Sequence, residues 1–280
     1  MLRSYSGMVN ALGEYLRARR ALIRPADAGL RVIGVRRTPG LRREEVATLA
    51  GISADYYLRL EQGRDRNPSP QVLAALARVF QLDATATAHL LSLTGGGPRP
   101  VARRSRREQV PAGLRQLLDV VGLPAFVENR HFDVLAVNTL AAALSPAIRV
   151  GENRMRSVFL DPAERDLHVD WDALLGGMVA SFRASIGTES ADPRVTELVG
   201  ELSLASEEFR HLWARHDVKA PTGGEVRMNH PVVGPLTLRR EKLQSDGLIL
   251  ALYHAEPGSP TAAALSLLAS LSVPASLLES

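Results

Sequence analysis

The chain contains no cysteine among its 280 residues and no apolar run long enough to cross a membrane. Without thiols, disulfide bonds, thiolate metal centres and cysteine redox chemistry are excluded. A membrane-spanning helix needs about 18 or more consecutive apolar residues, and the first residues, MLRSY, are not followed by a secretory core. We therefore expect a soluble, cytoplasmic protein.

The motifs of several enzyme classes are also missing. The sequence has no GxSxG nucleophile elbow, no HExxH pair and no glycine fingerprint after a predicted strand. Gly95, Gly96 and Gly97 follow a predicted helix and precede Pro98, which is typical of a hinge rather than of a nucleotide-binding loop. We predict no catalytic activity, no metal site and no cofactor.

Lysine is absent from the first part of the chain, although that part is strongly basic. Residues 1–110 contain 19 Arg against 9 Asp and Glu, a formal charge of +10, whereas residues 111–280 carry −6. Part of the preference for Arg over Lys can reflect base composition of the genome, but this does not explain the difference in sign. The first part is therefore a candidate for binding a polyanion.

The most informative segment is residues 41–63, LRREEVATLAGISADYYLRLEQG. Ala47 lies four residues before Gly51, which fits a close crossing of two helices followed by a turn with positive φ. Ser53 is a typical N-cap for the second helix, in which Tyr57 faces inward. The outward face of that helix is a candidate reader of DNA base edges and consists of Ala54, Asp55, Tyr56, Arg59 and Gln62.

Segments on both sides supply the rest of a helical bundle, which a helix-turn-helix needs because alone it buries too little apolar surface. Residues 9–23 predict a first helix, Ser69-Pro70 opens a fourth, and residues 84–93 form a fifth. We predict an all-α DNA-binding domain over residues 1–95, followed by a linker at 96–111.

These motifs resemble those of the Xre-type helix-turn-helix repressors, and more narrowly the actinobacterial regulators that continue into an MmyB-like ligand-binding domain. The resemblance is carried by LGEYLRARR (12–20), by residues 36–64 and 68–83, and then by FDVLAVN (132–138), FLDP (159–162), residues 201–218, HPVVGPLTL (230–238) and YHAEPGSP (253–260). It implies an α+β protein with a lambda-repressor-like first domain and a PAS-like domain over residues 112–280.

The same resemblance places the second helix of the motif in the major groove of double-stranded DNA. In this chain Arg59 would then contact guanine, Asp55 would accept from cytosine and Ala54 would touch a thymine methyl group. Phosphate contacts are expected from Ser53, Tyr56 and Arg43. Two alternatives stay open: Asp55 can be only a favourable first-turn charge, and Arg59 can pair with Asp55 at i,i+4.

Residues 24–40 form a connection that is longer than usual between two helices. Arg36 and Arg37 lie in it, and their charges suggest contacts with backbone phosphates beside the groove. A mobile, solvated loop is the alternative.

The second domain mixes strand-like and helical segments. A hairpin is predicted from residues 125–128 and 132–137, with further strands at 225–230, 235–243 and 248–253. Helices are predicted at 138–144, 171–186, 193–204, 207–215 and 261–271. These elements predict a single antiparallel sheet with helices over one face, which fits the PAS-like fold that the resemblance implies.

A sheet covered by helices can leave an apolar cavity between its layers. Most large apolar residues of such a domain are ordinary core, but those on opposed elements are the candidates for contacting a ligand. They are Phe126, Leu135, Val137, Phe159, Trp171, Leu175, Met178, Phe182, Phe209, Trp213 and Leu250. The resemblance implies a small effector that is apolar or lipid-like, such as a fatty acid.

Three classes of function remain. The first is a DNA-binding transcription regulator that responds to a small molecule and binds its operator as a homodimer, because paired recognition helices usually occupy half-sites about 34 Å apart. The second is a helix-turn-helix protein whose other domain docks a protein partner, for which a large exposed apolar patch would be the sign. The third, an unrecognised enzyme, would require a cleft with strongly perturbed titratable groups. We favour the first.

Overall fold

The computed structural model describes residues 10–31, 36, 38–65, 67–94, 109–187, 192–220 and 222–272. Contacts divide the chain into two units, residues 1–101 with 213–218, and residues 102–212 with 219–280. Arg37 and most of the predicted linker lie outside the described residues. No helix of the described part is both long enough and apolar enough to span a bilayer.

The described part of the first unit contains the five predicted helices. They are α1 (Ala11–Leu22), α2 (Arg43–Ala50), α3 (Ala54–Glu61), α4 (Pro70–Val79) and α5 (Ala84–Ser92). Their start points follow from short polar N-caps, because Ser53, Ser69 and Asp83 each accept a backbone N–H from the first turn that would otherwise lack a partner.

The turn between α2 and α3 has the predicted geometry. Gly51 has a φ of +68°, and the backbone N–H of Ile52 donates to the carbonyl oxygen of Ala47 at 3.0 Å. This bonding closes the end of α2, and a residue with a side chain would be strained at that φ. Tyr57 and Leu60 of α3 are completely buried, as their helical spacing predicts.

A buried carboxylate joins three of these helices. Glu61, the last residue of α3, is only 1% exposed, and its Oε1 and Oε2 accept from Nε of Arg20 at 2.6 Å and from Nε of Arg43 at 2.7 Å. The backbone carbonyl of Glu61 accepts from Nδ2 of Asn10 at 2.8 Å, just before α1. Burial by itself raises the pKa of Glu61, but the hydrogen bonds from Arg20 and Arg43 outweigh it and lower the pKa below its ordinary value.

The described residues of the second unit form a five-stranded antiparallel sheet with the order β2-β1-β5-β4-β3. The strands are β1 (Ala125–Asn129), β2 (Val134–Val137), β3 (Gly224–His230), β4 (Gly234–Ser245) and β5 (Leu248–His254). The helices are α6 (Ala112–Val120), α7 (Thr139–Leu144), α8 (Arg154–Leu160), α9 (Pro162–Leu167), α10 (Trp171–Ile186), α11 (Pro193–Ala205), α12 (Glu207–Ala214) and α13 (Pro260–Ser272). All predicted strands and helices are present, and α6, α8 and α9 are additional.

Helices lie against both faces of this sheet, whereas the sequence predicts them over one. On one face, which we call the inner face, Phe126, Ala251 and Tyr253 pack with side chains of α7 and α13. On the opposite face Val127 and Leu250 pack with residues of α6. The reason is that β1 and β5 are apolar at successive positions and not only at alternate ones, so both of their faces need cover.

We expect Glu61→Gln to lower the free energy of unfolding by about 3 kcal/mol, because it leaves Arg20 facing a neutral partner inside the bundle. A carboxyl group whose pKa is lowered by folding stabilises the fold above its unfolded pKa of about 4.3, and this stabilisation is lost as the pH falls through the folded pKa. The variant should therefore lose less stability than the wild type on acidification. Urea unfolding at several pH values measures both effects. Glu44→Gln, an exposed position on α2, is the control, and equal stability of the two variants would contradict the role given to Glu61.

Candidate nucleic-acid interface and sheet interior

The outward face of α3 is accessible in the first unit. Ala54, Asp55 and Arg59 are exposed, and Gln62 at the end of the helix is exposed as well. Oγ of Ser53 accepts the N–H of Tyr56 at 3.1 Å, so this serine caps α3 as the sequence predicts. The predicted base-reading residues therefore lie together on one accessible surface at the start of a well-formed helix.

Arg59 has intramolecular partners on this surface. Its guanidinium forms an ion pair with Asp55 at the i,i+4 spacing, and it lies 5.6 Å from the centre of the Tyr56 ring. The ion pair between Arg59 and Asp55, which the sequence offered as an alternative to base contacts, is thus present in the absence of DNA. Exposed ion pairs of this kind contribute about 0.3–0.5 kcal/mol, so a guanine can replace Asp55 as the partner of Arg59 at little cost.

Arg43, the first residue of α2, is positioned by the buried carboxylate of the bundle. Its Nε donates to Oε2 of Glu61, while 47% of the side chain stays exposed. A guanidinium carries five N–H donors in a fixed plane, so bonding through Nε sets the orientation of the whole group. This arrangement is compatible with the predicted phosphate contact of Arg43.

Arg36 makes several hydrogen bonds within the helical unit. Its two terminal nitrogens donate to the two carboxylate oxygens of Glu45 at 2.7 and 2.8 Å, and Nη2 also donates to the carbonyl oxygen of Gly40 at 3.0 Å. Glu45 in turn accepts the backbone N–H of Arg42 at 2.6 Å. The hydrogen bonds from Arg36 lower the pKa of Glu45. Arg36 thus fixes the end of the 24–40 connection to the start of α2, and Arg37 lies outside the described residues.

In the second unit, the predicted lining residues divide between several places. Phe126 and Val137 belong to the inner face of the sheet, whereas Leu135 and Leu250 pack on the opposite face with α6. Successive side chains of a strand point to opposite faces, so residues two apart, such as Leu135 and Val137, share a face where the strand is regular. The bulge in the pairing of β1 with β2, between Val127 and Glu128, breaks that regularity.

Aromatic residues of the second unit form two edge-to-face pairs. The rings of Phe159 and Phe209 are 5.2 Å apart, and those of Phe182 and Phe132 are 5.8 Å apart. Phe132, which was not among the predicted lining residues, lies in the turn between β1 and β2 and has a φ of +67°. Phe132, Phe182 and Phe209 are at most 1% exposed, so these rings belong to the core of the second unit.

The remaining lining candidates differ in their surroundings. Leu175 and Met178 are buried on α10, and Trp171 at the start of α10 has a buried indole Nε1 without a hydrogen-bond partner among the described residues. Trp213 lies in the segment 213–218 that groups with the first unit. Of these residues, Trp171 offers the kind of unsatisfied polar atom that a ligand can complete.

The inner face of the sheet contains a buried cluster of charges that the sequence analysis missed. Glu128 of β1 accepts from Nζ of Lys242 at 2.9 Å and from Nη1 of Arg154 at 3.2 Å. The side chains of these three residues are between 0% and 6% exposed. Glu128 in the apolar strand AFVEN was the available signal, because a buried carboxylate needs a cationic partner. Burial raises and the two cations lower the pKa of Glu128, and the net shift is downward.

No group of three or more His, Cys, Asp or Glu residues in the described ranges is arranged to hold a metal ion. Several polar side chains of the second unit are used in hydrogen bonds and ion pairs within it. His230 illustrates this, because its Nε2 lies 3.0 Å from the carbonyl oxygen of Ala143 and its Nδ1 accepts the N–H of Val232 at 3.2 Å. These contacts give His230 a structural role in linking β3 to α7.

Two family models match the chain. Residues 110–268 match the MmyB-like transcription regulator ligand binding domain, and residues 11–90 match a helix-turn-helix domain. The first match spans the whole sheet and most of the surrounding helices, and the second spans nearly all of the helical bundle. No curated protein matches the chain.

We expect Arg36→Ala to lower the free energy of unfolding by about 1.5–3 kcal/mol, because it removes charge-assisted hydrogen bonds at the start of α2. The salt dependence of DNA binding should stay unchanged, since these contacts are internal. Thermal unfolding and DNA titrations at several salt concentrations measure the two quantities. Arg31→Ala, an exposed position in the same connection, is the control. Suppose instead that stability is unchanged and that the slope of the logarithm of the binding constant against the logarithm of the salt concentration becomes shallower by about one. That result would show that Arg36 contacts a phosphate.

Proposed function

Because this chain belongs to the MmyB-like transcription regulators and is a DNA-binding regulator with a ligand-binding domain, we propose that α3 reads an operator sequence and that a small apolar or lipid-like effector adjusts the binding. The observation that carries the first part is the accessible outward face of α3 at the end of a capped turn. The formal charge of +10 in residues 1–110 supports it, because such a charge attracts the phosphate backbone.

Base recognition is assigned to the first two turns of α3. A helix in the major groove brings the side chains at its amino-terminal end closest to the base edges. Arg59 makes a forked contact with guanine once it leaves Asp55, Asp55 accepts from the amino group of cytosine, and Ala54 touches a thymine methyl group. Gln62 lies on the same exposed face and borders this contact region.

Phosphate contacts hold the helix in place beside the bases. Arg43 is suited to this, because Glu61 fixes its orientation while much of the side chain remains accessible. Ser53 and Tyr56 lie at the start of α3, where helix N–H groups favour anions. We assign Arg36 to the support of α2 and not to the DNA contact.

The regulator acts as a homodimer in this proposal. One domain with a single recognition helix covers one half-site, and two copies related by a twofold axis cover two half-sites about 34 Å apart. The doubled contact area supplies the specificity that one small helical domain does not reach.

The effector is assigned to the helix-covered inner face of the sheet. Phe126 and Val137 provide apolar surface there, and the buried cluster of Glu128, Arg154 and Lys242 provides polar groups at the same face. Apolar walls with a few polar groups are the usual composition of a small-molecule site.

We expect Arg59→Ala to weaken binding to a duplex selected by the wild-type protein by about 1–3 kcal/mol and to relax the preference at one base position. Fluorescence anisotropy with the selected duplex and its single-base variants measures this. Arg78→Ala, an exposed arginine on α4, is the control for a simple loss of charge. The base-reading role is wrong if Arg59→Ala binds the selected and scrambled duplexes in the same ratio as the wild type.

We expect small molecules extracted from the purified full chain to change its affinity for the selected duplex when they are added back. Mass spectrometry of the extract identifies candidates, and titration of the stripped protein with each candidate measures the change. An extract without effect at saturating concentration, on a protein that still binds DNA, would contradict effector control and leave the DNA-binding function standing.

A further inference from the structure

The last described helix of the second unit, α13, has an unusual composition for a helix at the surface. Residues 257–278 contain no Asp, Glu, Lys or Arg, although these residue types make up 23% of the chain. At that average a 13-residue helix would carry about three charged side chains, and α13 carries none. A helix with one side towards water normally has charged or polar residues on that side. The outer side of α13 therefore needs an explanation.

The inner side of α13 packs within its own unit. Leu265 and Leu268 are buried in the core at the inner face of the sheet, to which α7 and β4 also contribute residues. Oγ of Thr261 accepts the backbone N–H of Thr237 on β4 at 3.0 Å, which holds the start of the helix against the sheet. These contacts fix the rotation of α13 about its axis, and so decide which of its residues point outward.

The outer side of α13 consists of a row of apolar residues with small neighbours. Leu267 and Leu271 are 52% and 60% exposed and lie one helical turn apart, and Ala263 continues the row towards the start of the helix. Ser266 and Ser270 are exposed as well, and each donates its hydroxyl hydrogen to the carbonyl oxygen four residues earlier, at 3.0 Å. Because these donors are used within the helix, the outer side offers mainly apolar surface.

Other exposed apolar residues of the second unit have different surroundings. Leu117 and Val120 of α6 are exposed, but so are the charged residues Arg115 and Asp119 of the same helix. Leu204 on α11 is a single exposed leucine, and scattered residues of this kind are normal on a protein surface. Two leucines in one row on an uncharged helix are the arrangement that indicates an interface.

The absence of charge decides which partner fits this row. In an interface between two copies related by a twofold axis, residues near the axis meet their own copies. A charged residue there would face a like charge at short distance, whereas an uncharged row is complementary to itself. A strongly charged partner would find no opposite charge on α13, and a helix that lies on a lipid surface normally carries Lys or Arg beside its apolar face. The composition favours a second copy of the chain.

We propose that Ala263, Leu267 and Leu271 of α13 pack against the same row of a second copy and form the apolar centre of the homodimer interface. This inference rests on the proposed function, because it names the surface that joins the two copies on two half-sites. The leucines lose contact with water on pairing, and the small side chains of Ala263, Ser266 and Ser270 let the two helices approach closely. Polar residues of neighbouring elements form the rim of such an interface.

The test uses the full chain and two variants that place opposite charges in the middle of the row. Leu267→Glu and Leu267→Lys are prepared separately, and Leu204→Glu is the matched control, because Leu204 is an exposed leucine on another helix. Sedimentation velocity over a range of concentrations gives the dimer dissociation constant of each protein and of an equimolar mixture of the two charged variants. Thermal unfolding confirms that each variant is folded.

We expect the wild type and Leu204→Glu to dimerise with the same affinity. Leu267→Glu and Leu267→Lys should each dimerise at least about 100-fold more weakly, because two leucines leave the interface and two like charges meet. The mixture should recover most of the lost affinity, since glutamate on one copy then faces lysine on the other. A change in the fold of the single variants would not be reversed by mixing. Should either variant unfold, the pair Leu271→Glu and Leu271→Lys replaces them.

A wild type that stays monomeric at every concentration would overturn the inference. Unchanged dimerisation of Leu267→Glu would do the same, as would a mixture that dimerises no better than its components. A monomer that sediments with phosphatidylcholine vesicles, and loses this in Leu267→Glu, would assign the row to a lipid surface instead of a second copy.

The homodimer of the proposed function is tested separately, by sedimentation of the wild type with the selected duplex. Two copies on the duplex, together with normal dimerisation of Leu267→Glu, would leave the proposed function standing and show that the α13 surface is wrong. One copy on the duplex would contradict the proposed homodimer itself.

Discussion

The buried carboxylate of Glu61 is the interaction on which the geometry of the helical unit depends. An ionised carboxylate inside a bundle is costly unless each oxygen has a partner, and here Arg20 of α1 and Arg43 of α2 supply those partners. Glu61 itself ends α3. One side chain therefore relates three helices, and it does so from the buried side of α3. The bonds of Glu61 to Arg20 and Arg43 fix the position of α3, and with it the direction in which the exposed residues of α3 point.

The ligand-binding unit buries a carboxylate in a similar way but with a different result. Glu128 also has an arginine and a second cation as partners, yet both of these are enclosed, whereas Arg43 remains about half exposed. In the bundle, surplus positive charge therefore reaches the surface, where DNA phosphates can meet it. At the inner face of the sheet the cationic side chains of Arg154 and Lys242 stay buried.

Much of the fold could be predicted, because its signals are local. Ser53, Ser69 and Asp83 mark helix starts through bonds to their own first turns, and Gly51 marks a turn through its backbone conformation. The contacts within the candidate sites were harder to predict from the sequence. The contact between Arg36 and Glu45 could not be predicted, because the two residues are nine positions apart, across a connection with no regular spacing. Leu135 was expected to share a surface with Val137, and a bulge in the pairing places it with the opposite face instead.

The amino-acid sequence alone determined the order and bounds of most helices and strands, the outward face of α3 and the division of charge between the two parts of the chain. These properties depend on neighbours within a few residues or on composition. Only the tertiary structure decided that Arg36 supports α2, that helices cover both faces of the sheet, and that Glu128, Arg154 and Lys242 meet. Arg154 and Lys242 lie 26 and 114 positions after Glu128 in the sequence. Only chain folding brings such distant charges into a common interior, where water no longer screens them.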